Sequence, residues 1–443
     1  MSKRGTSIRG EILGFAKPYH ATDPVISIPG TFNGIKDYFS LNEDILSKHL
    51  LLIGGTGCGK TNTFMHIIAQ LKKQMTQNDV MIIFDTKEDF FKEFFDETKD
   101  CVIANSRKYE NIATIWNLYK EIAADGWGDD ELEANINELS WSIFQEAIEG
   151  NKSQPFFPNA ARDLFSAILT YIVRIGKDDL DFKKDYFNNK ALKKYFDIMS
   201  AESIKNMLET ESDLSSVLSY IGDGTSGQAL GVFAELQAVI RKLFIGTFAK
   251  EGRFSVRNFV REKEGRTLFV EYDLSQGSVL TPIYQLIFDL ALKEALGRTR
   301  SEGNVYLICD EFKLLPHLRH IDDAVNFGRS LGVKVCAGLQ SIEQLYENYG
   351  ESRGRNIAAG FSSVFSFKAN DVVTREFTTG LYGKNIVLEE YRAFDNPIRQ
   401  EKREGHTVED WDVQSLGVGE AIIGLPFISP FKFKSELYRK GGD

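Results

Sequence analysis

Residues 49–64 read HLLLIGGTGCGKTNTF, and Gly54-Gly55-Thr56-Gly57-Cys58-Gly59-Lys60-Thr61 within them completes an eight-residue phosphate-binding loop. The context restricts the fold more than the motif does. An apolar run, Leu50–Ile53, comes before the loop, and a helix-forming stretch from Lys60 to about Met75 follows it. Glycines let the backbone turn tightly enough to aim its N–H groups at phosphate oxygens, and the helix N-terminus adds favourable partial charge. Lys60 is placed to reach the β and γ phosphates and Thr61 to ligate Mg²⁺, so ATP and Mg²⁺ are the expected cofactors.

A second apolar strand, NVYLICDEF, ends in Asp310-Glu311. A carboxylate at that tip, beside the loop strand, is expected to hold Mg²⁺ through water, and Glu311 to polarise an attacking water. A glutamate in that role favours hydrolysis over transfer to a small molecule. Gln340 ends the next strand, where an amide can sense the γ-phosphate. Arg329, in NFGRSLGV, has two readings from the residues alone: a surface cation, or a finger offered to a neighbouring subunit's phosphate.

Short apolar strands alternating with helices argue for an α/β fold with a mostly parallel central sheet: VMIIFD (80–85), TLFVEYD (267–273), NVYLICDE (304–311), VKVCAGLQ (333–340), SVFSF (363–367) and EAIIGL (420–425). Residues 1–47 read as short strands and turns. From about Asn117 to Phe244 helical periodicity takes over, as in NAARDLFSAILTYIV, with Ala161, Leu164, Ile168 and Tyr171 on one face. The expected organisation is a nucleotide-binding domain in two parts, 1–116 and 229–443, around an inserted all-α domain, 117–228. The glycine-rich stretch IGDGTSGQ (221–228) reads as an interhelical turn or as a loop that grips substrate.

The formal net charge of −10 confines any nucleic-acid contact to a local basic surface. Residues 241–266 offer one, with eight Lys/Arg against three Glu, interleaved with Phe244, Phe248, Phe254 and Phe259. The plainer reading puts these phenylalanines in a core and the charges on a wet face. Cys58, Cys101, Cys309 and Cys336 lack metal spacing and fit a reducing compartment. His317 and His320 read as the start of a surface helix rather than a ligand pair. The N-terminus has no apolar run of a signal peptide, and no stretch approaches the roughly 20 apolar residues of a membrane span. The expected location is cytoplasmic.

Several stretches together resemble the type IV secretion coupling proteins of the VirD/TraG/TraD kind, within the FtsK/HerA superfamily of RecA-like ATPases. They are HLLLIGGTGCGKT, IIFDTKEDF, YLICDEFKLLPHL, GRSLGVKVCAGLQSIEQLYENYG (328–350) and FSFKANDVVTREFTTGLYG (365–383). The likeness covers roughly residues 25–430. It implies a ring, usually a hexamer, with nucleotide between subunits and single- or double-stranded DNA in the central channel. Lys60, Thr61, Asp310, Glu311 and Gln340 keep the roles given above, Arg329 becomes the finger in trans, and Asp85 and Lys87 shape the site. Coupling proteins usually begin with transmembrane helices. A separate membrane anchor, a relaxase or a secretion-channel protein is therefore an expected partner, with recruitment to the inner face of a membrane. The alternatives are a relative in a defence or repair complex partnered with a nuclease, or a nucleotide-switched adaptor.

Overall fold

The computed structural model of the chain describes residues 6–440 apart from 15, 152, 276, 298–301 and 393–397. In chain order the strands are β1 (Thr6–Arg9), β2 (Ile26–Phe32), β3 (Ile35–Leu41), β4 (Leu50–Ile53), β5 (Val80–Asp85), β6 (Cys101–Ile103), β7 (Thr267–Glu271), β8 (Val305–Cys309), β9 (Val333–Leu339), β10 (Ser363–Phe367), β11 (Lys384–Arg392), β12 (Ile398–His406), β13 (Glu420–Leu425) and β14 (Ile428–Ser435). The chain divides into two compact units. One comprises Met1–Asp85, Asp89–Phe95 and Ala295–Asp443, and the other Thr86–Glu88 with Asp96–Glu294.

In the first unit the strand order is β3-β2-β14-β13-β10-β4-β9-β8-β5. From β10 to β5 all neighbours are parallel. β4, β5, β8, β9 and β10 are buried along their whole length, as apolar strands covered on both faces must be. Burying each Leu or Ile of β4 contributes on the order of 1.5–3 kcal/mol. On the other flank β13, β14, β2 and β3 run antiparallel and extend the sheet. A separate three-stranded sheet, in the order β1-β11-β12, contains a long hairpin of which nine residue pairs are in register. The α/β class read from the sequence is the fold, and its parallel strands include those expected at 50–53, 80–85, 304–311, 333–340 and 363–367.

The second unit is mostly helical. Helix Asp129–Gly150 opens with Asp129, Asp130 and Glu131, whose charges suit its N-terminus. It packs on helix Phe156–Gly176, where Ala161, Leu164 and Ile168 are buried and Tyr171 is half-buried. The glycine-rich stretch at 221–228 is a turn: Gly222 and Gly224 have positive φ, and Ser226 accepts from Ala229 N to start helix Gly227–Leu243. The expected insert, 117–228, lies wholly inside this unit, which extends beyond it at both ends. The reason is covalently distant pairing. β6 runs parallel to β7. The buried Glu121 carboxylate accepts from Trp116 Nε1 at 2.9 Å, Ser255 Oγ at 2.8 Å and Val256 N at 2.6 Å.

The same cluster accounts for the basic segment 241–266. Arg257 is 3% exposed and ion-paired to Asp125 at 2.6 Å and Glu294 at 3.2 Å. Arg261 bridges the same two carboxylates. Lys242 pairs with Glu146, Lys250 with Glu110 and Arg266 with Glu262. Phe244, Phe248 and Phe259 are core residues. The aromatic and basic pattern is therefore mainly a packing and ion-pairing pattern. Burial alone would raise the Asp125 carboxyl, but hydrogen bonds from Asn135, Arg261 and Arg257 hold it well below the usual range.

Candidate nucleotide site

Strand β4 delivers the glycine loop to helix Lys60–Gln74. Gly57 (φ +74°) and Gly59 (φ +118°) occupy the left-handed region, which only glycine enters freely. At Gly54 a Cβ would lie 2.6 Å from the Phe367 Cβ, so the loop presses on the end of β10. Gly59 stands at the helix N-cap and offers no side-chain acceptor. The first N–H groups of the helix are thus left for an anion.

Side chains converge on this loop from two strand ends. The Thr61 hydroxyl donates to Asp310 Oδ2 at 2.7 Å. The Thr56 hydroxyl donates to Gln340 Oε1 at 3.1 Å, and Gln340 Nε2 donates to both Glu311 oxygens, at 3.0 and 3.2 Å. Lys60 is 7% exposed, and its Nζ donates to the Gly54 carbonyl at 2.5 Å and the Gly55 carbonyl at 3.1 Å. Lys60, Thr61, Asp310, Glu311 and Gln340 are therefore assembled at one place with Gly54–Gly59. Thr61 and Asp310 present hard oxygen donors to a shared point, as Mg²⁺ requires. No group of three or more His, Cys, Asp or Glu among the described residues could hold a metal. A nucleotide's Mg²⁺ takes much of its coordination from phosphate and water, so it needs fewer protein ligands.

Arg329 is elsewhere. It sits in the turn Gly328–Leu331, before β9, whereas Gln340 follows the far end of that strand. At ~3.3 Å per residue the strand separates them by about 20 Å. Its side chain is 53% exposed and donates to Asp44 Oδ1 at 2.8 Å. Asp44 is held below the usual carboxylate range by a hydrogen bond from Lys48, with Arg329 adding to the effect. Asp85 ends β5 and accepts from Phe91 N at 2.8 Å, fixing the start of helix Asp89–Phe94; Lys87 lies two residues on. Burial pushes the Cys58 thiol up, against the pull of Lys60, so it is a thiol rather than a reactive thiolate. All four cysteines are unpaired. His320 stands at the N-cap of helix Ile321–Phe327, and the His317 ring lies 6.4 Å from that of Tyr349.

Three supports of the loop were not anticipated. Gly55 N donates to the Lys368 carbonyl at 2.8 Å, and Gly419 N to the Cys58 carbonyl at 2.8 Å. At Gly338 a Cβ would meet the Asp310 carbonyl oxygen at 2.3 Å, so only glycine lets β8 and β9 close at the site. Lone glycines in CAGLQ and GVGEAI were the available signal.

A strand, a glycine loop and a helix that bring lysine and threonine to an Asp-Glu strand end define a P-loop nucleotide-binding protein with a RecA-like core. The chain belongs to the family described as the type IV secretion-system coupling protein DNA-binding domain, whose model matches residues 38–409. It is 21% identical over 396 residues to the coupling protein TraD of Escherichia coli (strain K12), covering 86% of this chain and 51% of TraD. The chain thus spans about half the length of that relative. Its fold is similar to that of the bacterial conjugative coupling protein TrwBdeltaN70 in its unbound form, with TM-score 0.76 and 19% identity over 100% of this chain and 96% of that one. It is also similar to the plasmid coupling protein TrwB in complex with ADP and Mg²⁺, with TM-score 0.72 and 20% identity over 99% and 95% of the two chains. Among the described residues no helix is long and apolar enough to cross a membrane.

Proposed function

We propose that the chain is an ATP-hydrolysing motor subunit that moves DNA in conjugative transfer, acting as a ring, most simply a hexamer. The observation that carries this reading is the pair of bridges between loop and strand ends, Thr61 to Asp310 and Thr56 through Gln340 to Glu311. They put a cation, a metal-binding hydroxyl, two carboxylates and an amide around one anion-binding loop. Lys60 would exchange its carbonyl partners for β and γ phosphate oxygens. Thr61 directly and Asp310 through water would hold Mg²⁺, which when bound neutralises charge on the phosphates. Glu311 would orient and polarise the attacking water, and Gln340 would couple that carboxylate to the loop. Family membership and the ADP and Mg²⁺ carried by the similar TrwB support the choice of ligand.

Arg329 is too far along β9 to serve its own loop. Its exposure fits presentation to the phosphates of a neighbouring copy, with Asp44 as its resting partner. Mixing Arg329→Ala subunits with Glu311→Gln subunits should then recover part of the turnover that each lacks alone. No recovery at any ratio, with both variants assembling, counts against the finger. Recruitment to the inner face of a membrane by an anchor, relaxase or channel protein belongs to the same proposal.

ATP hydrolysis by the purified chain, measured with DNA of increasing length, tests the whole. Stimulation that grows with length, together with ring formation, is expected. A strict monomer that hydrolyses ATP at full rate whether or not DNA is present overturns the proposal.

A further inference from the structure

At the end of the sheet where β9 begins, the two-residue turn Pro426-Phe427 joins β13 to β14. Phe427 has φ +62°, a conformation that turns normally give to glycine or asparagine, and it is 99% exposed. A lone exposed apolar side chain is ordinary. A bulky aromatic held in the left-handed region at a hairpin tip is not, and such strain gathers where proteins bind something.

Phe427 lines two cavities, of about 440 and 490 Å³, and Arg329 lines the second of them. A run of contacts joins the two residues. Asp44 accepts from Arg329 at 2.8 Å and from Lys48 at 2.7 Å, and the Lys48 ammonium lies 5.1 Å from the Phe427 ring. Exposed apolar side chains also flank the nucleotide loop, at the opposite end of the strands. Val418 precedes Gly419, whose N–H donates to the Cys58 carbonyl at 2.8 Å; it is 74% exposed. Asn62, the residue after Thr61, donates to the Glu436 carbonyl and accepts from Tyr438 N, which sets the exposed Leu437 beside the start of the loop helix. Ser435 N donates to the Gly419 carbonyl at 2.9 Å, so these two segments run side by side. If Arg329 serves a neighbour's phosphates, what flanks Arg329 must lie against what flanks the receiving loop.

We propose that Phe427 docks against Val418 and Leu437 of the next copy of this chain, a contact that seats Arg329 at that copy's nucleotide. The inference rests on the reading of Arg329 as a finger in trans. The two patches differ, and the six residues of β13 put about 20 Å between Val418 and Phe427. The contact is therefore heterologous: each copy keeps a free patch for another, and the series closes as a ring instead of stopping at a dimer.

The test follows self-association of the full chain, with a non-hydrolysable ATP analogue and a short DNA, by sedimentation velocity. Phe427→Asn should weaken association at least about tenfold while its denaturation midpoint stays level or rises, because asparagine tolerates the positive φ. Phe427→Cys mixed with Val418→Cys and oxidised should give a disulfide between positions 427 and 418, mapped by mass spectrometry. Neither variant alone should do so. The separation along β13 forbids that bond within one copy. Parental association in Phe427→Asn, no such disulfide in assembled mixtures, or a bond between two 427 positions in Phe427→Cys alone overturns the docking surface and leaves the ring standing. A parent chain that stays monomeric under these conditions overturns the ring reading and this inference with it.

Discussion

The loop site and the Arg257 cluster are made of the same chemistry, carboxylates and amides facing cations, yet they are finished differently. Around Arg257 every group has a fixed partner: Asp125 and Glu294 pair with two arginines, and the buried Glu121 accepts from two backbone N–H groups and two side chains. Around Lys60 the partners are provisional. The ammonium rests on two carbonyls of its own loop, and the two carboxylates are held by a hydroxyl and an amide. A sealed polar cluster fixes a fold. A cluster whose donors can be handed to a ligand at little cost does chemistry.

The largest effect expected from this contrast is Arg257→Ala. It removes the buried guanidinium from Glu294 and Asn135, leaving Arg261 alone to balance Glu294 and the part-exposed Asp125, and should lower stability by about 3 kcal/mol, read by chemical denaturation. Unchanged stability would break the comparison. Lys60→Ala should instead reduce ATP turnover by roughly 10²–10³-fold while leaving the denaturation midpoint close to that of the parent chain. A large loss of stability there would place Lys60 with the sealed class. Glu271 is an intermediate case: it is buried like Glu121, but among the described residues one of its carboxylate oxygens has no hydrogen-bond partner. Burial, with Asp273 and Glu88 nearby, pushes its pKa from 4.5 up to about 7. The folded chain holds that proton more tightly than the unfolded one, so stability should fall as pH rises from 4.5 towards 7. Glu271→Gln should flatten that slope by about 1–2 kcal/mol, allowing for solvent screening. An identical pH profile in the variant would dismiss the group. The smallest effect is expected at Gln340→Ala, about five- to tenfold in turnover with nucleotide still bound, measured by steady-state hydrolysis and by ADP titration.

What was legible in the sequence was local. The loop, its strand and its helix are contiguous, and Asp310-Glu311 ends an unmistakable apolar run, so their meeting could be anticipated without coordinates. The antiparallel flank was harder. ISIPGTF in β2 and ISPFKFKS in β14 each contain a proline, which weakens a strand pattern, and their pairing spans most of the chain. The hairpin β11–β12 escaped because IRQEKREGH has no apolar alternation to betray a strand. Residues 241–266 suggested a basic surface because Glu121, Asp125, Glu146 and Glu294, which absorb much of the charge, lie well outside that stretch. Linear charge counts overlook neutralisation by distant residues.

Gln340 stands between the loop and the end of β8. Its amide has a single acceptor end and a single donor end, one turned to Thr56 and the other to Glu311. Rotating that group by half a turn would spoil both contacts at once, and drawing either neighbour away would free the other. Under the proposed roles, occupancy of the loop and readiness of Glu311 would be tied to one torsion angle, with no longer relay needed to register a bound nucleotide.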